Sequence, residues 1–496
     1  MPLRLYTIQT SHTMRVISTS TSSFSVLSTA STSEPSYSHP YSETFYRVKW
    51  DVIALLVCRA HKVDGFQWNG HDSDNTTLTR YLCLDNLANT TLAVRVPLLS
   101  ANGRTAEHDT AISRRLASEI ATMQYIEKFT DIPAPRLWYY DPLFESEAAW
   151  PYIVTDRVEG VPLSSVWEVM KDNDRQAILA QVADIVLELW KNRFDKPGAL
   201  FQRQEASGEG RDDWYVESEA IFADTSALAF RYGLFSTSYA SAASYWLDYA
   251  NAFLDDLENT LFGHPDRAFA YAQRWIIRSL IPALFDTKLD SCEFPFFHGD
   301  LSAQNIIVTN LEGSPQIAAV IGWDCSGPSF SSTFAQCPPF ILGRDQTIFL
   351  ALISERENVL ADGLSLAQLI SSSRGVYLFQ NIMRNPEVYD DFYPQLFAQF
   401  FGRALDHEED SEFETEFLWA LMQKGSLKKQ TERFSRDIIA LEEARSVLGE
   451  AAIPIHMSAS MFRALVESRI DYFSPDGAVM AWLKERRGPL GSEQSL

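Results

Sequence analysis

The sequence predicts an α+β protein with a small N-terminal lobe built on a β-sheet and a larger C-terminal lobe that is mainly helical. The chain has 496 residues, several times what one hydrophobic core needs, so two or more packed lobes are expected. Strand-like apolar runs separated by turn residues fall before residue 160. After it, apolar residues recur mostly at helical spacing.

The charge of the chain restricts the class of ligand. Hydrophobic residues make up 46% and charged residues 22% of the sequence, which is ordinary for a folded globular protein. The formal net charge of -23 would repel a nucleic-acid backbone or an anionic membrane surface. We therefore expect a basic or neutral small-molecule substrate and no nucleic-acid partner. No apolar run approaches the roughly 20 residues that span a bilayer, so no membrane span is expected.

The first 45 residues differ in composition from the rest. They are rich in Ser and Thr and contain no acidic residue before Glu34. A mitochondrial transit peptide has this bias, but so does a disordered tail or a misjudged gene start, and all three interpretations remain open. The five cysteines are scattered, odd in number and without a CxxC pair, which indicates a reducing compartment. We expect a cytoplasmic protein, with a mitochondrial location as the alternative.

The N-terminal lobe is expected from residue 46 to 158 and the C-terminal lobe from 159 to 496. In the first, the pattern predicts a short helix, two strands joined by a turn, a longer helix and two more strands. In the second, an apolar stripe predicts a helix capped by Asn173 or Asp174. The predicted N-terminal elements are a helix near Val52–Ala60, strands Leu78–Leu84 and Thr91–Val96, a helix through Ile112, Leu116, Ile120 and Met123, and strands Arg136–Tyr140 and Tyr152–Val158.

One segment, residues 296–324, carries the chemistry. It reads His298-Gly299-Asp300, then four residues to Asn305, an apolar strand, a turn, and a second apolar strand that runs into Gly322-Trp323-Asp324. This pattern resembles the catalytic core of the aminoglycoside phosphotransferase and choline kinase-like family, whose motif is HGDxxxxN followed by a strand that ends in Asp-Trp. The stretch Phe334–Phe340 is similar to fungal members. The resemblance implies a protein-kinase-like bilobal fold.

The resemblance also implies ATP-dependent transfer of a phosphoryl group to a hydroxyl of a small molecule, with Mg²⁺ as the metal. Such a reaction needs a carboxylate near the attacking hydroxyl and oxygen ligands for the ion. Asp300 suits the first task, as base or orienting group, and Asn305 suits the second. The alternative is that both only cap turns, as Asp and Asn often do. His298 is expected to pack and hydrogen-bond the loop.

Nucleotide contacts are expected from the N-terminal lobe. Arg95 lies where the family's strand carries the phosphate-contacting base, and guanidinium binds phosphate oxygens well. An exposed strand arginine is the alternative. Glu119, at the border of the apolar stripe of the following helix, is the expected partner of Arg95, with an unpaired surface glutamate as the alternative. The run Trp150–Gly160 resembles the hinge whose backbone meets adenine.

Two departures from the family pattern put activity in question. The expected phosphate-covering turn, Gly65–Asn75, has only two glycines and carries Asp72 and Asp74, whose charge would oppose a triphosphate. Gly322 stands where the family has its metal-binding Asp. Asp324 is the possible substitute ligand, but two strand residues displace it by roughly 6.5 Å. A pseudokinase that acts as a binding or scaffold protein is therefore the alternative function.

The sequence does not identify the acceptor. Acidic residues of the C-terminal lobe, Asp212, Asp213 and Glu217, could receive a cationic substrate, although surface acids are common in so acidic a chain.

Overall fold

The computed structural model describes most of the chain and divides it into two compact units. The first comprises residues 1–114 and 138–157, and the second comprises residues 115–137 and 158–496. In the described ranges, no helix is both long and apolar enough to cross a membrane. The described residues are 40–73, 76–85, 90–98, 105–203, 210, 213–217, 239–260, 267–286, 288–289, 293–357, 365–385, 388–402, 408–448 and 462–463.

The first unit contains a five-stranded sheet in the order β1-β2-β3-β5-β4. The pairs β1–β2, β2–β3 and β3–β5 are antiparallel. The helices and strands that begin in this unit are α1 (Pro40–Arg47), α2 (Trp50–His61), β1 (Phe66–Ser73), β2 (Thr77–Leu84), β3 (Thr91–Pro97), α3 (Ala106–Phe129), β4 (Leu137–Asp141) and β5 (Tyr152–Asp156).

Alternating apolar residues determine which face of the sheet is buried. Leu92, Val94 and Val96 of β3 are fully buried, whereas the residues between them are only partly covered, as expected where side chains alternate between faces. This buried face joins a core to which α2 contributes residues at helical spacing, from Trp50 to Cys58. The predicted helix and strands of this lobe are present with boundaries within a few residues.

Strand β1 is a feature that the sequence analysis interpreted wrongly. The segment Gly65–Asn75 was expected to be a turn over phosphate, but Phe66–Ser73 forms the edge strand of the sheet. Trp68 contacts Trp50 with 5.8 Å between ring centroids, and packing of this kind holds the segment extended. The register shifts between Trp68 and His71, where Gly70 has φ +76°, a bulge that glycine tolerates. Asp74 lies outside the described residues.

Helix α1 begins inside the segment that the sequence analysis set apart as a leader. Thr44 is fully buried, and Trp50 Nε1 donates a hydrogen bond to the carbonyl oxygen of Phe45 at 2.9 Å. The leader prediction otherwise concerns residues 1–39, which lie outside the described part of the chain.

The second unit combines small sheets with many helices. Its sheets have the orders β13-β10-β7 and β12-β11-β6, and β8 pairs with β9. Its strands are β6 (Val161–Pro162), β7 (Arg193–Phe194), β8 (Ala199–Gln202), β9 (Trp214–Glu217), β10 (Phe294–Phe297), β11 (Ile306–Thr309), β12 (Gln316–Val320) and β13 (Gly327–Pro328). Its α-helices are α4 (Asp172–Lys191), α5 (Ala242–Thr260), α6 (Arg267–Ser279), α7 (Ile281–Leu284), α8 (Ser331–Phe334), α9 (Gly343–Arg356), α10 (Leu366–Ser372), α11 (Arg374–Arg384), α12 (Tyr389–Phe401), α13 (Glu408–Met422) and α14 (Gly425–Leu448).

Residues 115–137, which include the second half of α3, group with the second unit because of their contacts. Trp214 Nε1 donates to the carbonyl oxygen of Ala121 at 3.0 Å, and Tyr125 stacks on Phe296 with 5.8 Å between centroids. The amide of Val320 donates to the carbonyl oxygen of Pro133 at 2.7 Å. These contacts attach α3 and the segment after it to β9, β10 and β12.

The predicted cap of α4, Asn173 or Asp174, is wrong by two or three residues. The helix begins at Asp172, its N-cap position is Lys171, and no side chain caps it. Asp172 and Asp174 lie in the first turn instead, where the positive end of the helix dipole stabilises their negative charge.

The predicted fold class, an α+β protein with a small sheet lobe and a large, mainly helical lobe, is confirmed.

Candidate catalytic site

The HGD loop lies between two short buried strands of the second unit. Strand β10 ends at Phe297, and β11 begins at Ile306. Phe296, Ile306 and Val308 are fully buried. Burial of these apolar side chains anchors both ends of the loop. The intervening residues 298–305 carry the predicted catalytic side chains on a loop whose ends are fixed.

His298 has the structural role that the sequence analysis expected. Its Nδ1 accepts a hydrogen bond from the amide of Asp300 at 3.3 Å, so its Nε2 donates to the carbonyl oxygen of Ile321 at 3.1 Å. The ring is 1% exposed and lies 4.4 Å from the ring of Trp323 between centroids. Burial lowers the pKa of His298 to about 4. The neutral imidazole therefore joins the HGD loop to the end of β12.

Gly299 makes the sharp turn between His298 and Asp300. Its φ is +82°, a conformation that costs L-residues with side chains about 1–2 kcal/mol. A Cβ at this position would lie 2.2 Å from the carbonyl oxygen of Cys325. Only glycine permits this close approach of the two loops.

Asp300 and Asn305 are brought together as the spacing of the motif predicted. Asn305 Nδ2 donates to the carboxylate oxygen Oδ2 of Asp300 at 2.9 Å and to its carbonyl oxygen at the same distance. Burial raises the pKa of Asp300, the hydrogen bonds from Ser302 and Asn305 lower it, and the charge of Asp324 raises it further, with a net increase. A carboxylate with a raised pKa accepts a proton more readily at neutral pH.

Gly322 lies directly beside Asn305. Strand β12 ends at Val320, and Gly322 has φ +80° at the start of the short 3₁₀ helix Trp323–Cys325. A Cβ at position 322 would lie 2.9 Å from Cγ of Asn305. A side chain here would thus adjoin the predicted metal ligand, as the family pattern requires, but glycine supplies no ligand atom.

Asp324 does not continue along β12, because the chain turns at Gly322. Its carboxylate forms an ion pair with the guanidinium of Arg115 on α3, and Arg115 Nη2 also lies 3.5 Å from the sulfur of Cys325. Burial lowers the pKa of Arg115, but the nearby Cys325, Asp324 and Glu119 outweigh it, so the net pKa is raised. Burial, followed by the charge of Asp324, raises the pKa of the Cys325 thiol to about 12.

These residues do not fit the magnesium arrangement implied by the family pattern. Asn305 is bonded to Asp300, position 322 offers no ligand, and Asp324 is neutralised by Arg115. Within the described part of the chain, no group of three or more His, Cys, Asp or Glu side chains could hold a metal ion. A single amide oxygen beside one carboxylate is a poor site for an ion that prefers octahedral oxygen coordination.

The two predicted nucleotide-contacting residues lie in different units. Arg95 is half-buried on β3, on the strand face opposite to Val94 and Val96, and Glu119 is 3% exposed on α3. Glu119 is thus a buried residue and not a rim glutamate. The pairing of Arg95 with Glu119 stays a prediction, because it would join the first unit to the second.

Sequence reasoning missed a cavity beside the HGD loop. Its volume is about 190 Å³, and Asp300 forms part of its lining. Other lining residues come from α4, from the segment after α8 and from α11, among them Leu189, Gln336 and Arg384. Only the similarity of Phe334–Phe340 to the family pointed toward this region. The acids Asp213 and Glu217 are not in the cavity lining, and Asp212 lies outside the described residues.

Arg115 is the other functional candidate that the sequence did not reveal. It directly follows Arg114 in α3, and it stands 209 residues before its partner Asp324. No spacing rule connects positions so far apart, and only the packing of α3 against the second unit brings them together.

Comparison with known proteins shows which family matches the segment that contains the HGD loop. The model of the phosphotransferase enzyme family, APH, matches residues 104–330, a region that includes the HGD loop, Asn305 and Asp324. The resemblance to aminoglycoside phosphotransferases that the motif predicted is confirmed by this match.

Two fungal relatives have related sequences. The chain is 28% identical over 115 residues to altered inheritance of mitochondria protein 9, mitochondrial, of Meyerozyma guilliermondii, a match that covers 23% of this chain and 19% of the relative. It is 30% identical over 89 residues to a subtelomeric hrmA-associated cluster protein of Aspergillus fumigatus, covering 18% of each. The matches thus span about a fifth of the length of these curated relatives.

Solved structures of aminoglycoside phosphotransferases are similar at low identity. A streptomycin-ATP-APH(2")-IIa ternary complex has a TM-score of 0.36 and 11% identity, covering 75% of this chain and 96% of that one. A putative aminoglycoside phosphotransferase of Ralstonia eutropha has a TM-score of 0.36 and 14% identity, covering 84% of this chain and 98% of that one.

Proposed function

We propose that this protein transfers a phosphoryl group from ATP to a hydroxyl of a small molecule, with Asp300 as the group that orients the hydroxyl. The observation that carries the proposal is the position of Asp300, which is hydrogen-bonded to Asn305 and forms part of the lining of a cavity large enough for a small acceptor. Membership of residues 104–330 in the phosphotransferase family supports this reaction class.

In this reaction the acceptor hydroxyl attacks the γ-phosphorus of ATP. A new bond forms between the hydroxyl oxygen and phosphorus, the bond between phosphorus and the β,γ-bridging oxygen breaks, and ADP leaves. The Asp300 carboxylate accepts the hydroxyl hydrogen, first as a hydrogen bond and then as a proton, and later releases it to solvent. Because phosphoryl transfer needs positioning more than covalent help from the protein, one well-placed carboxylate has a large effect.

The test compares wild type with Asp300→Asn, using γ-labelled ATP and a panel of small hydroxyl compounds. We expect the variant to lose transfer by at least about a hundredfold, since it withdraws the group that accepts the proton. The melting temperature should change little, because the amide keeps the shape of the side chain. Transfer within a few-fold of wild type would exclude Asp300 as the catalytic group.

The second candidate function is that of a pseudokinase that binds ligands or partners without turnover. Gly322 favours it, because glycine provides no carboxylate at the position beside Asn305 where the family pattern has a metal ligand. The same transfer assay separates the two functions. A pseudokinase would transfer no label from ATP, either as wild type or as Asp300→Asn, although it would still bind an acceptor or a nucleotide.

For location, the cytoplasm is the proposal that follows from the cysteine pattern. The mitochondrial alternative gains support from the relative of Meyerozyma guilliermondii, whose name includes mitochondria.

A further inference from the structure

The cavity beside Asp300 has a lining unsuited to a polycationic substrate. Among its described lining residues, Asp300 is the single carboxylate and Arg384 is the single guanidinium. His298 also forms part of the lining, but it is neutral near pH 7 because burial lowers its pKa to about 4. The lining therefore has no net charge. A substrate with several ammonium groups would meet one carboxylate and be repelled by Arg384.

Arg384 is a cation with unused hydrogen-bonding capacity. Its Nε is buried and has no hydrogen-bond acceptor among the described residues. Its guanidinium carbon lies 5.1 Å from the ring centroid of Trp246, and Trp246 is fully buried. No carboxylate of the described chain forms an ion pair with Arg384. Hydrogen bonds from a guanidinium to a carboxylate or phosphate are among the stronger ones, so the lining of the cavity offers an anionic ligand a cation to bind.

A fixed row of polar side chains continues the lining. Gln336 Nε2 donates to Oε1 of Gln380 at 2.6 Å, and Gln380 Nε2 donates to the hydroxyl of Thr333 at 3.0 Å. Because the donor of Gln336 is engaged in this way, its Oε1 is left to accept a hydrogen bond from a ligand hydroxyl. The row is held in place by Gln380 and Thr333, which are 3% and 2% exposed.

The size of the cavity limits the ligand. Its volume is about 190 Å³. Pockets for drug-sized ligands usually measure about 300–1,000 Å³. A single short polyol chain or one sugar ring fits this space, whereas a substrate of several linked rings would extend beyond it.

From this combination we propose that the acceptor is a small polyhydroxylated anion, a polyol that carries one carboxylate or phosphate group bound by Arg384, with Gln336 accepting a hydrogen bond from one of its hydroxyl groups. This inference rests on the proposed function, because it takes Asp300 as the residue that faces the reacting hydroxyl. It differs from the basic or neutral substrate that the charge of the whole chain suggested, because the local lining decides recognition.

Calorimetric binding without nucleotide tests the inference separately from catalysis. The probes are D-gluconate, glycerol 3-phosphate, D-sorbitol as the uncharged match for gluconate, and kanamycin as a polycation. We expect at least one anion to bind, at least about tenfold more tightly than sorbitol, because hydrogen bonds to charged groups are the stronger ones. Gluconate and glycerol 3-phosphate distinguish a carboxylate from a phosphate ligand.

Variants of Arg384 show whether the anion is held as proposed. Arg384→Gln should weaken binding of the preferred anion at least about tenfold, and Arg384→Lys, which keeps the charge, should lose less. The matched control is Arg344→Gln, the same loss of charge at a residue whose side chain is 73% exposed and paired with Asp172. Melting temperatures show that each variant folds, and Arg384→Lys still tests the site if Arg384→Gln does not fold.

Four outcomes would overturn the inference: preferred binding of kanamycin, equal binding of sorbitol and the anions, no binding of any probe, or an unchanged affinity in Arg384→Gln. Failure of the proposed function looks different. If an anion binds through Arg384 but receives no label from ATP, the ligand class stands and the transfer reaction is wrong. If kanamycin is phosphorylated through Asp300, the reaction stands and the ligand class is wrong.

Discussion

Two residues of the candidate catalytic site, one in the HGD loop and one after β12, have functions that depend on close contacts, and substitution of each gives a measurable result. His298 is the first. It is held neutral between the amide of Asp300 and the carbonyl oxygen of Ile321. Protonation would place a positive charge on a buried ring that water does not solvate. Its ordinary pKa of 6.5 is lowered by burial to about 4, so protonation and folding oppose each other.

We expect His298 to make the protein less stable as pH falls from about 6.5 to about 4. In this window the unfolded chain binds a proton at His298 and the folded chain does not, so the free energy of unfolding decreases with falling pH. Over the whole window this one residue lowers the free energy of unfolding by roughly 3 kcal/mol. Denaturant unfolding at several pH values should show a shallower decline in His298→Asn. Equal slopes in both proteins would show that the histidine is not held neutral.

Gly322 is the second residue. Its substitution distinguishes the loss of stability caused by backbone strain from a gain in magnesium-dependent ATP binding. Gly322→Asp places a carboxylate beside Asn305, but in a backbone conformation that costs about 1–2 kcal/mol for a residue with a side chain. We expect a lower melting temperature together with magnesium-dependent ATP binding that is tighter by at least about tenfold.

Gly322→Ala is the matched control, because it introduces the same Cβ contact with Asn305 without a ligand atom. It should lower the melting temperature and leave nucleotide affinity unchanged. The test also includes Asp324→Ala, which removes the partner of Arg115. If Asp324→Ala abolishes magnesium-dependent binding in the native chain, Asp324 is a metal ligand, and our account of its pairing with Arg115 is wrong.

At the scale of elements, short-range patterns were sufficient for much of the fold. The apolar runs around Phe296 and Ile306 specified two buried strands, and four intervening residues specified the contact between Asp300 and Asn305. Such features depend on neighbours in sequence, so a single chain reveals them. Helix α3 was recognisable by its period, but its attachment to the second unit through Ala121 and Tyr125 was not.

Features that depend on tertiary packing were either predicted wrongly or missed. The polar segment with Gly70 had the composition of a turn, yet packing of Trp68 on Trp50 makes it a strand with a bulge. The ion pair between Arg115 and Asp324 joins positions 209 residues apart. The cavity that contains Arg384 is assembled from separate helices in the same way. These features require a three-dimensional structure because no local rule relates their residues.

At the scale of the whole molecule, the net charge of -23 describes the long-range field but not the site. The field disfavours polyanions at a distance, whereas the lining beside Asp300 balances one carboxylate with one guanidinium. A small anion experiences mainly the local lining once it enters, because salt screens charges farther away than about 8–10 Å.

Titration of the full chain with ATP by calorimetry, with and without Mg²⁺, tests the central claim most directly. The claim is that a phosphotransferase site persists around Asp300 although Gly322 has removed a metal ligand. We predict saturable ATP binding with only a weak dependence on Mg²⁺, since Asn305 alone leaves the ion mostly to water and nucleotide. If ATP does not bind in either condition, the protein is not a kinase, and the account given for Asp300 is wrong.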